Sequence, residues 1–156
     1  MQVVVYRGGL AQFRIPDGWI TELGEVGGGT FYRDEPDSAT LRLNIMTFAP
    51  KAGAATVAPV SVLEGKARAK HTAAAMLPTG YAMVSYDDET DENGERVRTR
   101  FWELAQVLPS GHVRLAVFSL SASAARWRAP DVETDLVTIG TEVRSCQLAT
   151  TLGEVP

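Results

Sequence analysis

The stretch that most constrains the fold is YDDETDENGERVRTR, residues 86–100, in which acids precede an Asn93-Gly94 pair and alternating arginines follow it. Asn-Gly between two extended segments is the strongest short-range indicator of a two-residue type I′ hairpin. A turn at this pair sets an acid opposite each arginine: Asp91 against Arg96, Glu89 against Arg98, and Asp87 against Arg100. Each such pair contributes roughly 0.2 to 1 kcal/mol. The sequence therefore predicts two long antiparallel strands joined at Asn93-Gly94.

The same stretch also has the beginnings of a calcium-binding loop. With Gly94 as the loop glycine, Glu89, Asp91 and Asn93 fall at the first, third and fifth positions. An EF-hand loop ends in a bidentate Glu at its twelfth position. That position is Arg100, a cation where the strongest anionic ligand should be. We therefore favour the hairpin over a metal site.

A second hairpin is predicted directly after the first. It runs from RFWELAQVL at 100–108 through Pro109-Ser110-Gly111 to HVRLAVFSLSA at 112–122. A three-residue loop pairs like side chains across the two strands, namely Val107 with Val113, Ala105 with Leu115, and Trp102 with Phe118. Residues 86–122 are therefore expected to form a three-strand meander.

Shorter strands are predicted before the meander. Arg7-Gly8-Gly9 is typical of a turn between VVVY and AQFRI, and further strands are expected at 29–33 and 40–48. In the 40–48 segment apolar and polar residues alternate, as in a strand with one buried face. Residues 49–59 contain turn formers without an apolar period and are predicted to be a loop.

Two helices are predicted. The first runs from Ser61 to Leu77, where Ser61 and Glu64 match a capping box. The second begins at Pro130, which is favoured in the first helical turn. Its apolar residues recur at helical spacing and predict a packing stripe of Val132, Leu136, Ile139 and Val143. Gly140 costs about 1 kcal/mol relative to Ala in mid-helix, so it is interpreted as a point of close approach to the sheet.

Length and composition predict one globular domain. The 156 residues are assigned to a single α+β domain at 1–149 and a flexible C-terminal tail at 150–156. A net charge of −4 argues against a nucleic-acid partner, because general binders of the phosphate backbone are normally basic. No apolar run is long enough for a membrane span or a signal peptide, so a cytoplasmic protein without membrane insertion is expected. The single Cys146 is interpreted as buried filler.

Few groups are arranged for catalysis. The sequence has no GxxxxGK[ST], GxSxG or HExxH motif, and Gly27-Gly28-Gly29 leads into the strand-like TFYR rather than a helix. The two histidines are His71, on the first predicted helix, and His112, at the turn after Ser110. Because adjacent residues on a tight turn rarely aim their side chains at each other, a catalytic triad is not favoured. No catalytic residue, metal site or cofactor is predicted.

Glu103 is the acid with the most unusual surroundings, because it falls among apolar residues on one strand face. An unpaired carboxyl in such a place would be a candidate functional group. A structural partner such as Arg42 or Arg114 on a neighbouring strand is favoured over a catalytic role.

Arg126, Trp127 and Arg128, just before the last helix, form the candidate partner-binding site. An exposed Trp between two arginines has the composition of an interface anchor. A Trp before a helix also often folds back onto the first helical turn as a staple. Both interpretations are kept.

The order of the elements carries a family resemblance. N-terminal strands with FRIPDGW precede TLRLNIMTF, a helix, the meander and a C-terminal helix ending EVRSCQL. This order, with F-x-I-P-x-G-W at 13–19, resembles the PsbP-like α/β/α sandwich superfamily. That superfamily includes the photosystem extrinsic protein, the Ran-binding nuclear import factor and bacterial DcrB-type proteins with their secretion-chaperone relatives. The resemblance implies an antiparallel sheet of about six to seven strands with helices packed on it, and a binding or chaperone role without catalysis or cofactor.

Two classes of function follow. The favoured one is a non-catalytic cytoplasmic protein-binding adaptor or chaperone that binds another protein through one sheet face or the Trp127 region, with a homodimer left open. The alternative is a small-molecule-binding domain or minor hydrolase with a pocket between sheet and helix. An apolar surface without clustered titratable groups would favour the first, and an enclosed cavity with a perturbed Glu103 or His112 would favour the second.

We expect residues 86–100 not to bind calcium, because Arg100 occupies the position of the bidentate Glu. Calorimetric titration of the protein with calcium chloride should show only heats of dilution, while an EF-hand sensor protein titrated in the same buffer shows binding. Micromolar affinity for calcium would contradict the hairpin interpretation.

Overall fold

The computed structural model describes residues 1–152, so positions 153–156 of the predicted tail lie outside the described residues. The described part contains ten strands and two α-helices. In chain order they are β1 (Gln2–Tyr6), β2 (Ala11–Ile15), β3 (Ile20–Leu23), β4 (Gly29–Tyr32), β5 (Thr40–Phe48), α1 (Pro59–Ala69), β6 (Ala75–Met76), β7 (Ala82–Glu92), β8 (Glu95–Val107), β9 (Val113–Ser123), α2 (Pro130–Arg144) and β10 (Gln147–Leu148). None of the helices within 1–152 has the length and apolar character needed to cross a bilayer.

The strands form two antiparallel sheets. The larger has seven strands in the order β3-β4-β5-β9-β8-β7-β6, and the smaller has three in the order β1-β2-β10. Two helices packed on antiparallel sheets make the α+β fold that the sequence predicts. The separation of the N-terminal hairpin into a second sheet was not predicted, because its partner β10 lies more than 130 residues away along the chain and pairs through only Gln147 and Leu148.

The hairpin of β7 and β8 has the predicted register. Asn93 and Gly94 have φ values of 51° and 83°, as both central residues of a type I′ turn require. The three predicted acid–arginine pairs lie directly opposite one another across the strands. Arg100 forms its ion pair with Asp87 directly opposite, at 2.8 Å. The guanidinium groups of Arg98 and Arg96 instead reach one step along the face, to Asp87 at 3.4 Å and to Glu89 at 3.0 Å.

Asp87 is the centre of this ladder. Partial burial opposes its ionisation, but the hydrogen bonds and charges of Arg100 and Arg98 outweigh burial and lower the pKa of the Asp87 carboxyl. Because this pKa is lower in the folded state than in the unfolded chain, the Asp87 carboxylate stabilises the fold at pH values above the ordinary pKa of Asp. That contribution is lost as the pH falls through the folded-state pKa.

The second hairpin is also confirmed. Val107 pairs with Val113 and Trp102 with Phe118. The Leu108 amide donates to the His112 carbonyl at 2.9 Å, which closes a three-residue loop. Gly111 in that loop has φ 84°, a conformation that favours glycine.

Alternation of side chains gives the seven-stranded sheet two faces. We call inner the face that packs against α2 and the three-stranded sheet, and outer the face that carries α1. The inner face is a continuous apolar layer whose fully buried members include Leu41, Leu43, Leu104, Phe118 and Leu120. Phe13 of β2 joins the two sheets through edge-to-face contacts with Phe31 and Phe118, at centroid distances of 5.4 and 5.2 Å.

The C-terminal helix α2 packs through the predicted stripe. All four residues of that stripe are buried, namely Val132, Leu136, Ile139 and Val143. Gly140 is confirmed as the point of close approach, because a Cβ there would lie 3.5 Å from the Trp102 ring.

The first helix differs from the prediction. It begins at Pro59 and ends at Ala69, so Ser61 is not its cap. Proline needs no partner for a backbone N–H and fits the first helical turn better than the residues of the predicted capping box. At the other end His71 adopts φ 54°, and Ala75–Met76 pairs with β7 as an edge strand. The end of the predicted helix, at Ala75 and Met76, is therefore a strand, because its backbone pairs with β7.

We expect Leu136→Ala to lower the free energy of unfolding by about 2 to 5 kcal/mol, the usual cost of emptying a buried leucine site. Val137→Ala, one residue further along α2, is the matched control. Val137 is 71% exposed, so its truncation should change stability by less than about 0.5 kcal/mol. Chemical denaturation of the two variants checks this, and equal costs would mean that α2 does not pack through its stripe.

Candidate functional site

Trp127 is buried. It follows a short 3₁₀ turn at Ala124–Arg126 and is 8% exposed, within the main core cluster. The guanidinium groups of Arg98 and Arg100 lie 5.3 and 5.9 Å from the centre of its ring. Of the two interpretations kept for this residue, the exposed anchor is therefore wrong, and the structure has a core tryptophan covered by two arginines.

Of the two flanking arginines, Arg128 lines the same surface depression as Trp127, whereas Arg126 does not. Arg126 is half-buried and its guanidinium donates to both carboxylate oxygens of Asp131, each at 2.8 Å. Arg128 is exposed. Only Arg128 of the predicted partner-binding group is thus presented fully to solvent, and no structural observation tests its binding role.

Glu103 is paired with a tyrosine. The Tyr86 hydroxyl donates to its carboxylate at 2.5 Å, and Glu103 is 5% exposed. The prediction that Glu103 pairs with Arg42 or Arg114 is wrong, because neither arginine can reach it. Arg42 lies beyond the intervening strand β9, opposite Ser119 rather than opposite the Val117 that faces Glu103. Arg114 points to the other face of the sheet.

Tyr86 belongs to a small closed cluster under α1. Its ring stacks on Phe101 at 5.0 Å and 17°, and the ammonium groups of Lys66 and Lys70 lie 5.8 and 5.1 Å from the ring centre. Burial and the hydrogen bond to Glu103 raise the pKa of the Tyr86 phenol. The phenol therefore keeps its proton and satisfies the buried carboxylate, which is a structural role for Glu103.

Ser110 and His112 do meet, against expectation. Ser110 Oγ lies 2.9 Å from His112 Nδ1 on an exposed turn. In a triad that ring nitrogen would face a carboxylate rather than the nucleophile. No described carboxylate hydrogen-bonds His112. His71 lies exposed after the end of α1, so the structure does not bring the two histidines into one arrangement.

The other two residues singled out from the sequence, Arg114 and Cys146, are buried. Arg114 is buried, 1% exposed, and donates to the backbone carbonyls of Ala149 and Thr151. Cys146 is fully buried, and burial raises the pKa of its thiol to about 12, which agrees with a filler role. In residues 1–152 no group of three His, Cys, Asp or Glu is arranged to hold a metal ion.

An exposed functional candidate is the part of the outer face beside α1. The helix packs mainly on β7 and β8, and Leu115 of β9 packs against the same cluster. The other outward side chains of β5 and β9 are exposed or half-buried. We call this region the open face and define it by Arg42, Asn44, Met46, Phe48, Leu115, Val117, Ser119 and Ser121. Met46 and Phe48 are 43% and 52% exposed, although most methionine and phenylalanine side chains in folded proteins are buried.

The strand register divides the open face into two ends. At the polar end Arg42 lies opposite Ser119, and Ser121 bonds to Thr99 of β8 at 2.7 Å. At the apolar end Met46 lies opposite Leu115, and Phe48 opposite Val113. A depression of about 630 Å³ adjoins this end, between the loop at 49–57 and the turn at 109–111.

Sequence reasoning did not single out the open face, although a signal for it exists. In TLRLNIMTF the positions that alternate with Leu41 and Leu43 are Arg42, Asn44, Met46 and Phe48. Arg42 and Asn44 suit a solvent-facing side, whereas Met46 and Phe48 do not. Large apolar residues on the polar side of an alternating strand indicate a binding surface.

Comparisons with known proteins show the fold. No protein-family model matches the sequence, and curated protein sequences gave no significant match. LpqN of Mycobacterium tuberculosis, described as involved in cell envelope biogenesis, is similar in structure with a TM-score of 0.61 and 16% identity, over 89% of this chain and 83% of LpqN. A protein from Bacteroides thetaiotaomicron VPI-5482 has a TM-score of 0.60 and 12% identity over 97% of this chain. This chain spans about half, 49%, of that protein.

We expect Trp127→Ala to destabilise the protein by about 3 to 5 kcal/mol, because it empties a large buried site. Arg128→Ala, at the exposed neighbour, should cost less than about 0.5 kcal/mol. Thermal and chemical denaturation of both variants measure this. An unchanged unfolding free energy for Trp127→Ala would restore the interface-anchor interpretation.

Proposed function

We propose that this protein is a non-catalytic binding module that holds a segment of another polypeptide on the open face. The observation that carries the proposal is the exposure of Met46 and Phe48 on the outer face, at the end of β5 where β4 no longer pairs with it. Exposed apolar side chains that adjoin one another on a sheet are typical of protein interfaces. Methionine, aromatic residues and arginine are also the types enriched in such interfaces.

The chemistry of the open face indicates the kind of segment that fits. Phe48 and Met46 offer apolar contact, and the nearby depression beside the 49–57 loop can accept further apolar side chains. Arg42 is exposed at the polar end and is the one charged member of the open face. We propose an apolar partner segment that carries an acidic residue at the end which meets Arg42.

The resemblance to the PsbP-like superfamily supports an adaptor or chaperone form of this proposal, since that resemblance implies binding without catalysis. The cytoplasmic location remains a prediction of the sequence. The pairing of Glu103 with a protonated tyrosine supports the non-catalytic part, because a carboxylate held in this way is already satisfied.

Site-specific photo-crosslinking in the native cell tests the proposal. A photoreactive amino acid at position 48 should capture a partner polypeptide that the same residue at position 137 does not, since Val137 is exposed on α2 and away from the open face. The partner identified by mass spectrometry is then purified. Its affinity for Phe48→Asp should fall more than about tenfold, because a charge replaces a desolvated apolar contact.

Val137→Asp is the matched control and should bind the purified partner as the unaltered protein does. Both variants should keep the melting temperature nearly unchanged, because both sites are exposed. Equal binding by Phe48→Asp would remove the open face from the proposal. Turnover of a defined substrate, lost in a folded Glu103→Gln variant, would refute the non-catalytic module altogether.

A further inference from the structure

Strand β1 lies at the edge of the three-stranded sheet, and one of its two sides has no neighbouring strand among the described residues. In the order β1-β2-β10 it pairs with β2 alone, and within residues 1–152 no strand pairs with its other edge. The backbone N–H and C=O groups on such an edge can pair with an added strand.

The sequence of β1 does not protect this edge. QVVVY contains no charged residue, proline or glycine, whereas natural edge strands are usually guarded by charges, prolines or bulges. Val4 and Tyr6 point into the core, at 7% and 1% exposure, while Val3 and Val5 point outward at 56% and 55%. The edge is therefore extended, uncharged and flanked by two exposed valines.

We propose that two copies of this chain associate by antiparallel pairing of β1 with β1, about a two-fold axis at Val4. This pairing joins the two three-stranded sheets into one of six strands. Val3 of each copy then lies opposite Val5 of the other, and Gln2 lies opposite Tyr6. The interface is isologous and closes on itself, as in most homodimers.

The symmetric placement of the exposed Val3 and Val5 about Val4 suits a second copy as the occupant, and the charge pattern does not oppose it. On the outward face of the small sheet, Arg14 lies opposite Val3 and Gln12 opposite Val5. In the six-stranded sheet each copy places its Arg14 behind Val3, at opposite ends of the interface, and Glu142 already pairs with that arginine at 2.9 Å. No like charges meet, and four valines form two cross-strand pairs of a type that stabilises antiparallel sheets.

The inference goes beyond the proposed function and does not depend on it. The open face belongs to the other sheet, so partner binding and self-association can be measured separately. Five-residue strands bury little area compared with the roughly 1,200 to 2,000 Å² of stable interfaces. The dimer should therefore dissociate on dilution.

Sedimentation equilibrium of the full chain over a concentration series tests the pairing. The unaltered protein should show a reversible monomer–dimer equilibrium. Val3→Lys with Val5→Lys places two pairs of like charges opposite each other and should weaken association more than about tenfold. Val3→Lys with Val5→Glu places opposite charges in the same register and should restore the dimer. Val137→Lys, at an exposed valine of α2, should leave association unchanged.

A protein that stays monomeric at all concentrations would overturn the proposal. A dimer that persists in the variant with Val3→Lys and Val5→Lys would also overturn it. The same holds if the variant with Val3→Lys and Val5→Glu associates as weakly as the double-lysine variant. Hydrogen exchange in the unaltered protein gives a check that needs no variant. The amides of β1 should exchange more slowly as concentration rises, whereas those of β6, an edge strand of the larger sheet, should not. Equal behaviour of β1 and β6 would exclude β1 as the contact.

Discussion

The register of the β7-β8-β9 meander is the constraint on which the rest of the structure depends. Because side chains alternate along a strand, a shift by one residue would send Trp102 and Phe118 to the outer face and bring Glu103 into the apolar layer under α2. Two tight turns prevent that shift, and both use residues that accept a positive φ, at Asn93-Gly94 and at Gly111. The inner layer, the hydrogen bond between Tyr86 and Glu103, and the open face all follow from this one alignment.

Helix α2 and the three-stranded sheet, which cover the inner face, are held there by apolar contacts and oriented by ion pairs. The buried stripe of α2 supplies contact with both sheets, and two carboxylates on the same helix fix its position between them. Asp135 accepts two hydrogen bonds from Arg33, at 2.6 and 2.8 Å. Glu142 accepts two from Arg14 of β2, both at 2.9 Å. Partly buried ion pairs add little net stability, since desolvation offsets much of their attraction, but bidentate geometry restricts how the helix can lie.

Features set by neighbours in the chain were predictable, and features set by distant contacts were not. Asn93-Gly94 determines its turn locally, so the register of β7 and β8 could be derived residue by residue. The stripe of α2 was equally readable, because its period lies within one helix. The partner of Glu103 was missed although the predicted registers contain it: they place Tyr86 one step along the same face from Val84, which lies opposite Glu103, and they place Arg114 on the other face. Only the exclusion of Arg42 depends on distant contacts, because it requires knowing which strand lies beside β5. Trp127 was undecided for the same reason, because its burial requires Arg98 and Arg100 from another hairpin.

The width of a helix explains why an accessible face exists at all. A helix is about 10 Å across, equal to two strands at about 4.8 Å spacing, so α1 covers β7 and β8, meets β9 only near Leu115, and leaves β5 uncovered. Exposure of the arginine, asparagine and serines costs little free energy, because water solvates their polar groups. Exposure of Met46 and Phe48 is unfavourable, since burying them would contribute about 25 cal/mol per Å² of apolar area. A partner that covered only the polar end would recover little of this free energy. The partner segment that we propose should therefore bind mainly at Phe48, with Arg42 at the margin of the open face selecting among apolar segments by charge.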